Sequence, residues 1–401
     1  MIKRVFKAFE YRDFRLLWFG ACTSSVGTWM QIVAQNWLVL ELTNSAFLLG
    51  LDSFLGQIPI FLFSLIGGAV ADRTDRRKLL VGSQLVQMSC AFLLATLFAL
   101  STVQVWHILS LSFVVGMAQA FGGPAYQALI PTLVGAKDLA NAIALNSIQF
   151  NLARVIGPML GGIALTSLGP AWCFSLNGIS YVAVIISLLL LPFRPLAART
   201  SATMLTSIKE GLHFIDRQEG MKPLILIAFF MTMLGVPLMV FLPVIVRDVF
   251  HLGPSIFTLM LCISGAGAVV GALAVAAFGQ IHNKGLVALL TLTLFGFVMI
   301  AFGLSTSLAL SCVLLFFASA ALMGVFAMIS SLVQIITPDE MRGRVMSVYN
   351  VAFRGGMPFG SLLSGHLISD TSVGTVLALN GVALAILGLY FLLVHRRVAR
   401  L

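Results

Sequence analysis

Residues 67–78 read Gly-Gly-Ala-Val-Ala-Asp-Arg-Thr-Asp-Arg-Arg-Lys and lie between two long apolar stretches. Glycine removes the Cβ, so it lets one helix approach another closely before the chain turns. The acids and bases that follow cannot stay in hydrocarbon and mark a short turn at a water-facing edge. The spacing is specific. Gly68 precedes Asp72 by four residues, Arg73 follows, and Arg76 and Arg77 close the turn.

The apolar stretches recur along all 401 residues. The chain is 59% hydrophobic and 9% charged, with a mean hydropathy of +1.04, a balance that a water-soluble protein does not carry. Runs of about 20 apolar residues read as membrane-crossing helices. They lack the alternation of barrel strands, so helix is the form that satisfies their backbone in lipid. The expected architecture is all-α with twelve spans: 14–40, 46–70, 79–100, 105–129, 141–167, 172–193, 222–246, 256–280, 285–304, 308–333, 345–368 and 373–394. The first is too long and polar for a cleaved signal segment.

A net charge of +10 first suggests nucleic acid, but the bases cluster by loop. If the spans alternate, 21 of the 24 lysines and arginines fall on one side of the membrane. The opposite loops carry Arg247 alone. This asymmetry places both termini in the cytoplasm of a bacterial inner membrane, with lipid and not nucleic acid as the large partner. Cys22, Cys90, Cys173, Cys262 and Cys312 all fall inside spans at no metal-like spacing and read as small packing residues. The six histidines form no cluster. No Gly-x-x-x-x-Gly-Lys-Ser/Thr loop occurs. The expectation is therefore no metal, no cofactor, no ATP drive and no enzyme.

The chain also repeats itself. Arg154-x-x-x-Pro158 returns as Arg354-x-x-x-Pro358, Ser147 as Ser347, and Leu176-Asn177-Gly178 as Leu379-Asn380-Gly381. Ile130-Pro131 with Asp138 likewise parallels Thr337-Pro338 with Asp339. Six spans per half give the copies the same orientation. The expected domains are residues 1–193, a linker at 194–221 and residues 222–401. Leu205, Ile208, Leu212 and Ile215 give the linker the spacing of a short amphipathic helix on the membrane surface.

Within the spans, polar residues select candidates for a solute path. Ser24, Thr28, Gln31 and Gln35 step by four, three and four along the first span and share one face. Ser112, Gly116, Gln119, Gly123 and Gln127 do so along the fourth. Ser319, Met323, Phe326 and Ser330 mark the tenth, and Phe229, Thr232, Val236 and Met239 the mostly apolar seventh. Such side chains normally face a protein interior or a water-filled cavity, although hydrogen bonding between helices would suffice to explain them. Amides, Met and Phe with few charges suit a bulky, partly apolar solute rather than a sugar phosphate. Three charges lie inside spans: Asp52, Arg154 and Arg354. Desolvation raises the proton affinity of a buried carboxyl, so Asp52 is the leading candidate for proton coupling, with Arg154 and Arg354 beside it. Gly157-Pro158-x-x-Gly161-Gly162 combines an opened hydrogen-bond ladder with close-packing glycines. In the second copy Met357, Ser361 and Leu362 stand where those glycines stood.

The charged turn resembles the loop between helices 2 and 3 of the major facilitator superfamily, with Asp75 where that pattern has a second glycine. Gly157-Pro158-x-x-Gly161-Gly162 resembles the core of that superfamily's exporter motif. Phe14-Arg-Leu-Leu-Trp18, Gly27-Thr-Trp-Met-Gln31, Trp37-Leu-Val-Leu-Glu-Leu-Thr-Asn-Ser45 and Ala71-Asp-Arg-Thr-Asp-Arg-Arg77 resemble its transmembrane secretion effector branch over nearly the whole chain. In that branch Asp75 is an ordinary occupant. The resemblance implies a monomer of two six-helix halves, with a cavity lined by the first, fourth, seventh and tenth helices. It implies alternating access and efflux of a siderophore, drug or metabolite by proton antiport. An uptake symporter or a lipid flippase on the same fold is the rival reading. From another class, the rival is a membrane sensor or assembly subunit that does not transport.

Overall fold

A computed structural model describes residues 6–192, 204–277, 283–394 and 398–400. The expected linker positions 194–203 and the last three residues of the span 256–280 lie outside the described residues, as do the bases Lys3, Arg4, Arg194, Arg199, Arg396 and Arg397.

The chain is helical throughout the described residues. The first half holds α1 (Arg12–Thr43), α2 (Ala46–Arg73), α3 (Arg76–Ala99), α4 (Val105–Leu133), α5 (Leu139–Ser167) and α6 (Pro170–Leu189). Next come α7 (Met204–Arg217), α8 (Met221–Gly235), α9 (Pro237–Val240) and α10 (Leu242–Asp248). The second half continues with α11 (Pro254–Ala277), α12 (Lys284–Leu304), α13 (Leu308–Ile336), α14 (Asp339–Asp370) and α15 (Val373–Leu393). Among the described residues, ten helices are long and apolar enough to cross a membrane by length and composition. Two of the twelve expected spans, α1 and α14, fall outside that set; both are 32 residues long. They carry the polar stripe and the arginine-bearing copy, which lower their hydropathy. The seventh expected span is not one helix. Pro237 and Pro243 each stand in the first turn of a new segment, because proline lacks the N–H that a continuing ladder needs.

The turns follow local chemistry. Asn44 takes the left-handed conformation, φ 50°, between α1 and α2, and Gly169 does so at φ 90° before Pro170 opens α6. Asp75 caps α3, its carboxylate accepting from the backbone N–H of Arg77 and Lys78 at 2.9 and 3.3 Å, which is the N-cap arrangement worth about 1 kcal/mol. A cap needs an acceptor side chain, and this accounts for an acid at the position where the resembled pattern has glycine.

Two compact units result: residues 1–44 with 55–199, and residues 45–54 with 200–401. The first turns of α2 therefore group with the second unit. In the first unit, the segment before α1 is pinned to the start of α5. Ala8 N–H donates to Asn141 Oδ1 at 2.9 Å, Tyr11 donates to Asp138 at 2.9 Å, and Lys7 pairs with Asp138 at 3.1 Å. Trp18 Nε1–H donates to the Leu145 carbonyl at 2.8 Å, inside a cluster of Phe14, Leu17, Leu129, Leu133 and Leu188. In the second unit α7 takes a comparable position on α14. Glu210 pairs with Arg344 at 2.8 Å, and Gly211 lies against the Arg344 carbonyl. Of the amphipathic residues expected there, Ile215 is buried and Leu212 is exposed.

Glycines set how closely the helices approach. A Cβ at Gly67 would overlap the Ala120 carbonyl oxygen, and one at Gly271 would overlap that of Ala320. The two acceptor positions are 200 residues apart, so the duplication extends to the packing of α2 on α4 and of α11 on α13. The outer faces of the helices expose Ile163, Leu273, Leu294 and Phe317, as a surface solvated by lipid does.

Candidate functional site

The polar stripe of α1 is the spine of a hydrogen-bond network in the first unit. Asn177 Nδ2–H donates to Gln31 Oε1 at 2.6 Å, Gln31 donates to Gln35 at 3.2 Å, and Gln35 donates to Ser112 Oγ at 2.9 Å. A second branch joins Thr28 and Tyr181 at 3.4 Å, then Tyr181 and Gln87 at 3.4 Å, then Gln87 and Ser83 at 3.1 Å. The branches link α1 to α3, α4 and α6. Buried amides are costly unless paired, and this pairing lets them sit inside apolar helices. Gln31, Gln35 and Thr28 remain half-buried, so they still present surface. The α4 stripe divides: Ser112 and Gly116 face inward, whereas Gln119 and Gln127 are exposed.

Sequence reasoning missed Asn177, Tyr181 and Gln87. Asn177 left a signal, since Leu-Asn-Gly recurs in the second half. There Asn380 donates to Ser364 Oγ at 3.2 Å, linking α15 to α14, a different helix pair from the α6–α1 link that Asn177 makes.

The charged turn works by capping. Arg76 donates from Nε to the Ala71 carbonyl at 3.2 Å and from Nη1 to the Ala128 carbonyl at 3.0 Å. It also pairs with Asp72 at 3.2 Å. Arg77 donates to the Leu191 and Leu189 carbonyls at 2.6 and 2.8 Å, at the end of α6. Helix C-termini leave carbonyls unpaired and carry partial negative charge, so Arg77 caps the end of α6, while Arg76 ties α3 to α4 within its last two turns. Arg73 and Asp72 are exposed. Gly68 makes no tight contact, with Pro124 Cβ 3.9 Å from an added Cβ; the close approach belongs to Gly67. The expected result is that Gly67→Ala lowers the melting temperature of the purified protein, at a cost of roughly 1–3 kcal/mol, while Gly68→Ala leaves it unchanged. Equal effects would contradict this packing.

Gly157 and Gly161 dock α5 on α1. A Cβ at Gly157 would overlap Trp29 Cβ, and one at Gly161 would stand 2.9 Å from Met30 Cα. Gly162 is buried, and its carbonyl accepts from Thr166 at 2.8 Å. Helix α5 runs unbroken through the buried Pro158. The second copy was expected to lack these glycines, but it carries them one residue earlier. Gly356 lies against Thr232 and the Phe229 carbonyl, and Gly360 against the Met233 carbonyl.

Asp52 is buried, six residues into α2, within the second unit. Its neighbours make a tight contact there: Gly50 lies against the Ser361 carbonyl and Gly365, and Ser53 donates to Ser361 Oγ at 3.0 Å. Arg154 is half-buried and Arg354 exposed. In the second unit a cavity of about 370 Å³ is lined by Phe326, Ser330, Ser331, Gln334 and Arg342. Phe326 also packs on Phe353, with ring centroids 4.5 Å apart. Met323 is half-buried beside it on α13. Of the expected path residues, Phe326 and Ser330 border this cavity.

The fold has counterparts among solved transporters. A D-xylose–proton symporter superposes with a TM-score of 0.75 at 15% identity, over 95% of this chain and 97% of that one. A bacterial homologue of the human lysosomal transporter Spinster gives 0.69 at 14% identity, over 97% and 96%. These similarities show the fold, which solved membrane transporters share. The chain belongs to the transmembrane secretion effector family, whose model matches residues 4–400, and is therefore an integral membrane transporter of the major facilitator type, not an enzyme.

Among curated relatives, the enterobactin exporter EntS of Shigella boydii is 27% identical over 395 residues, 95% of this chain and 91% of its own length. Macrolide efflux protein A of Streptococcus pyogenes is 22% identical over 387 residues, 93% and 94%. The staphyloferrin A transporter of Staphylococcus aureus is 22% identical over 382 residues, 93% and 94%.

Proposed function

We propose that this chain is a twelve-helix secondary exporter of the bacterial inner membrane. In this reading both termini are cytoplasmic, and residues 1–193 and 222–401 form the two halves. It acts as a monomer and moves a small, partly apolar solute outward by alternating access in exchange for protons. One observation carries the reading: the chain matches the secretion effector family along its length, and two of the three similar proteins are named for export or efflux. The charge asymmetry of the loops supports the orientation. The half-buried Thr28, Gln31 and Gln35, the exposed Gln119 and Gln127, and Met323 and Phe326 are the proposed lining. Asp52 is the proposed proton site. The charged turn and the Gly157–Gly162 segment are proposed to keep helix contacts intact while the halves move.

The test uses cells lacking their own exporters and expressing this chain. Their steady-state content of enterobactin, staphyloferrin A and a macrolide is measured with and without a protonophore. The reading expects a several-fold lower content of at least one solute, restored by the protonophore. Higher content would identify uptake. No change for any solute, with the protein present in the membrane, would favour a subunit that does not transport.

A further inference from the structure

Arg154 lies in the middle of a membrane-crossing helix and meets no carboxylate among the described residues. Its guanidinium lies over the indole of Trp29, 5.8 Å from the ring centroid. That indole is held in place: Gly157 brings α5 onto Trp29 Cβ, and Phe150 meets the ring edge-on at 6.5 Å. The same face of α1 carries Ser25, Trp29, Ile32 and Asn36 at steps of four, three and four, all half-buried. Ser25 on this face is taken up by α5, accepting from Gln149 Nε2 at 2.8 Å, whereas Arg154 is only half-buried. A guanidinium does not fit against lipid, so the part of it left open borders water or solute.

A charged side chain inside a span is expensive and is retained where it has work to do. The indole screens one face of the guanidinium, while its in-plane fork of N–H donors stays free to match a carboxylate. Arginine holds its proton throughout the physiological range, so its charge serves to hold an anion rather than to shuttle protons. Among the described residues the arrangement occurs in the first half alone. Thr232 stands against Gly356 as Trp29 stands against Gly157, and its hydroxyl is committed to the Phe353 carbonyl at 2.8 Å.

We propose that Arg154, seated on Trp29, is an anion-binding site, and that the transported solute is an organic acid bearing a carboxylate or acidic phenol on a planar ring. The fork takes the acid, and the free surface of Trp29 takes the ring. The inference rests on the transporter reading for its biological meaning, but binding can be measured without transport.

Equilibrium dialysis of the full chain in lipid nanodiscs, with salicylate and its neutral isostere salicylamide, tests it directly. The wild type is expected to bind salicylate about tenfold or more tightly than salicylamide, the scale of one charge-assisted hydrogen bond. Arg154→Gln should abolish that preference. Trp29→Leu should weaken both ligands alike. Arg154→Lys keeps the charge but loses the fork, should retain only part of the preference, and decides the matter if the glutamine variant does not fold. Equal binding of the two ligands by the wild type, or an undiminished preference in either Arg154 variant, would overturn the proposal. No gradient is applied, so a failed export assay would leave this result standing, and the reverse also holds.

Discussion

Gly360→Val is expected to prevent accumulation of folded protein. Even a Cβ at Gly360 would overlap the Met233 carbonyl oxygen, and Gly356 one turn earlier is equally closed by Thr232 and the Phe229 carbonyl. The obstruction is backbone, which cannot swing aside as a flexible side chain can. Inserting extra methyl groups into a packed core costs about 1–3 kcal/mol each when neighbours can adjust. Here α8 and α14 would have to separate along their length, and Thr232 would lose its hydrogen bond to the Phe353 carbonyl. Gly123→Val is the control, because nothing lies within 4 Å of its Cβ position. Size-exclusion profiles after heating should show a monodisperse control and an aggregated or absent Gly360 variant. A Gly360→Val protein as heat-resistant as the wild type would mean that α8 and α14 do not pack through this glycine.

Asp52→Asn should have the largest effect on transport itself. The carboxyl is buried, and the substitution keeps its size while removing the titrating group. Beside it, Gly50 and Ser53 hold α2 against Ser361, so a proton taken up or released at Asp52 would act next to that contact. In proteoliposomes with an imposed pH gradient, uphill movement of solute should fall to background, while solute binding and downhill counterflow persist. Uphill export at the wild-type rate would leave Asp52 as a structural residue.

The fold was largely legible because helix periodicity and apolar length are local properties. The stripe Thr28, Gln31, Gln35 was visible from its spacing, but its partners were not. Asn177 sits 146 residues from Gln31, and no pattern within one helix reports a bond of that reach. The same holds for Arg77, readable as a positive charge but not as the cap of carbonyls 112 and 114 residues away. Asp75 stood out as a departure from a motif, and its capping bonds explain it by chemistry that any sequence reading can apply. The broken seventh span was within reach, since Pro237 and Pro243 are plain in the sequence. The glycines of the second copy escaped notice because they moved one residue, which alignment at a fixed spacing counts as loss although the packing is kept. Trp29 carries no signal in the sequence beyond its place in a family pattern, and its contact with Arg154 depends on how α5 crosses α1.

The account stands or falls on whether the chain drives a solute outward at the expense of a proton gradient. Purified protein in proteoliposomes, oriented by protease protection of one terminus, settles this with labelled solute equal on both sides and a pH step across the membrane. The account predicts net solute movement from the cytoplasmic face to the opposite face, coupled to proton movement the other way and abolished when the pH step is collapsed. Net movement toward the cytoplasmic face, or outward movement indifferent to the pH step, would contradict it.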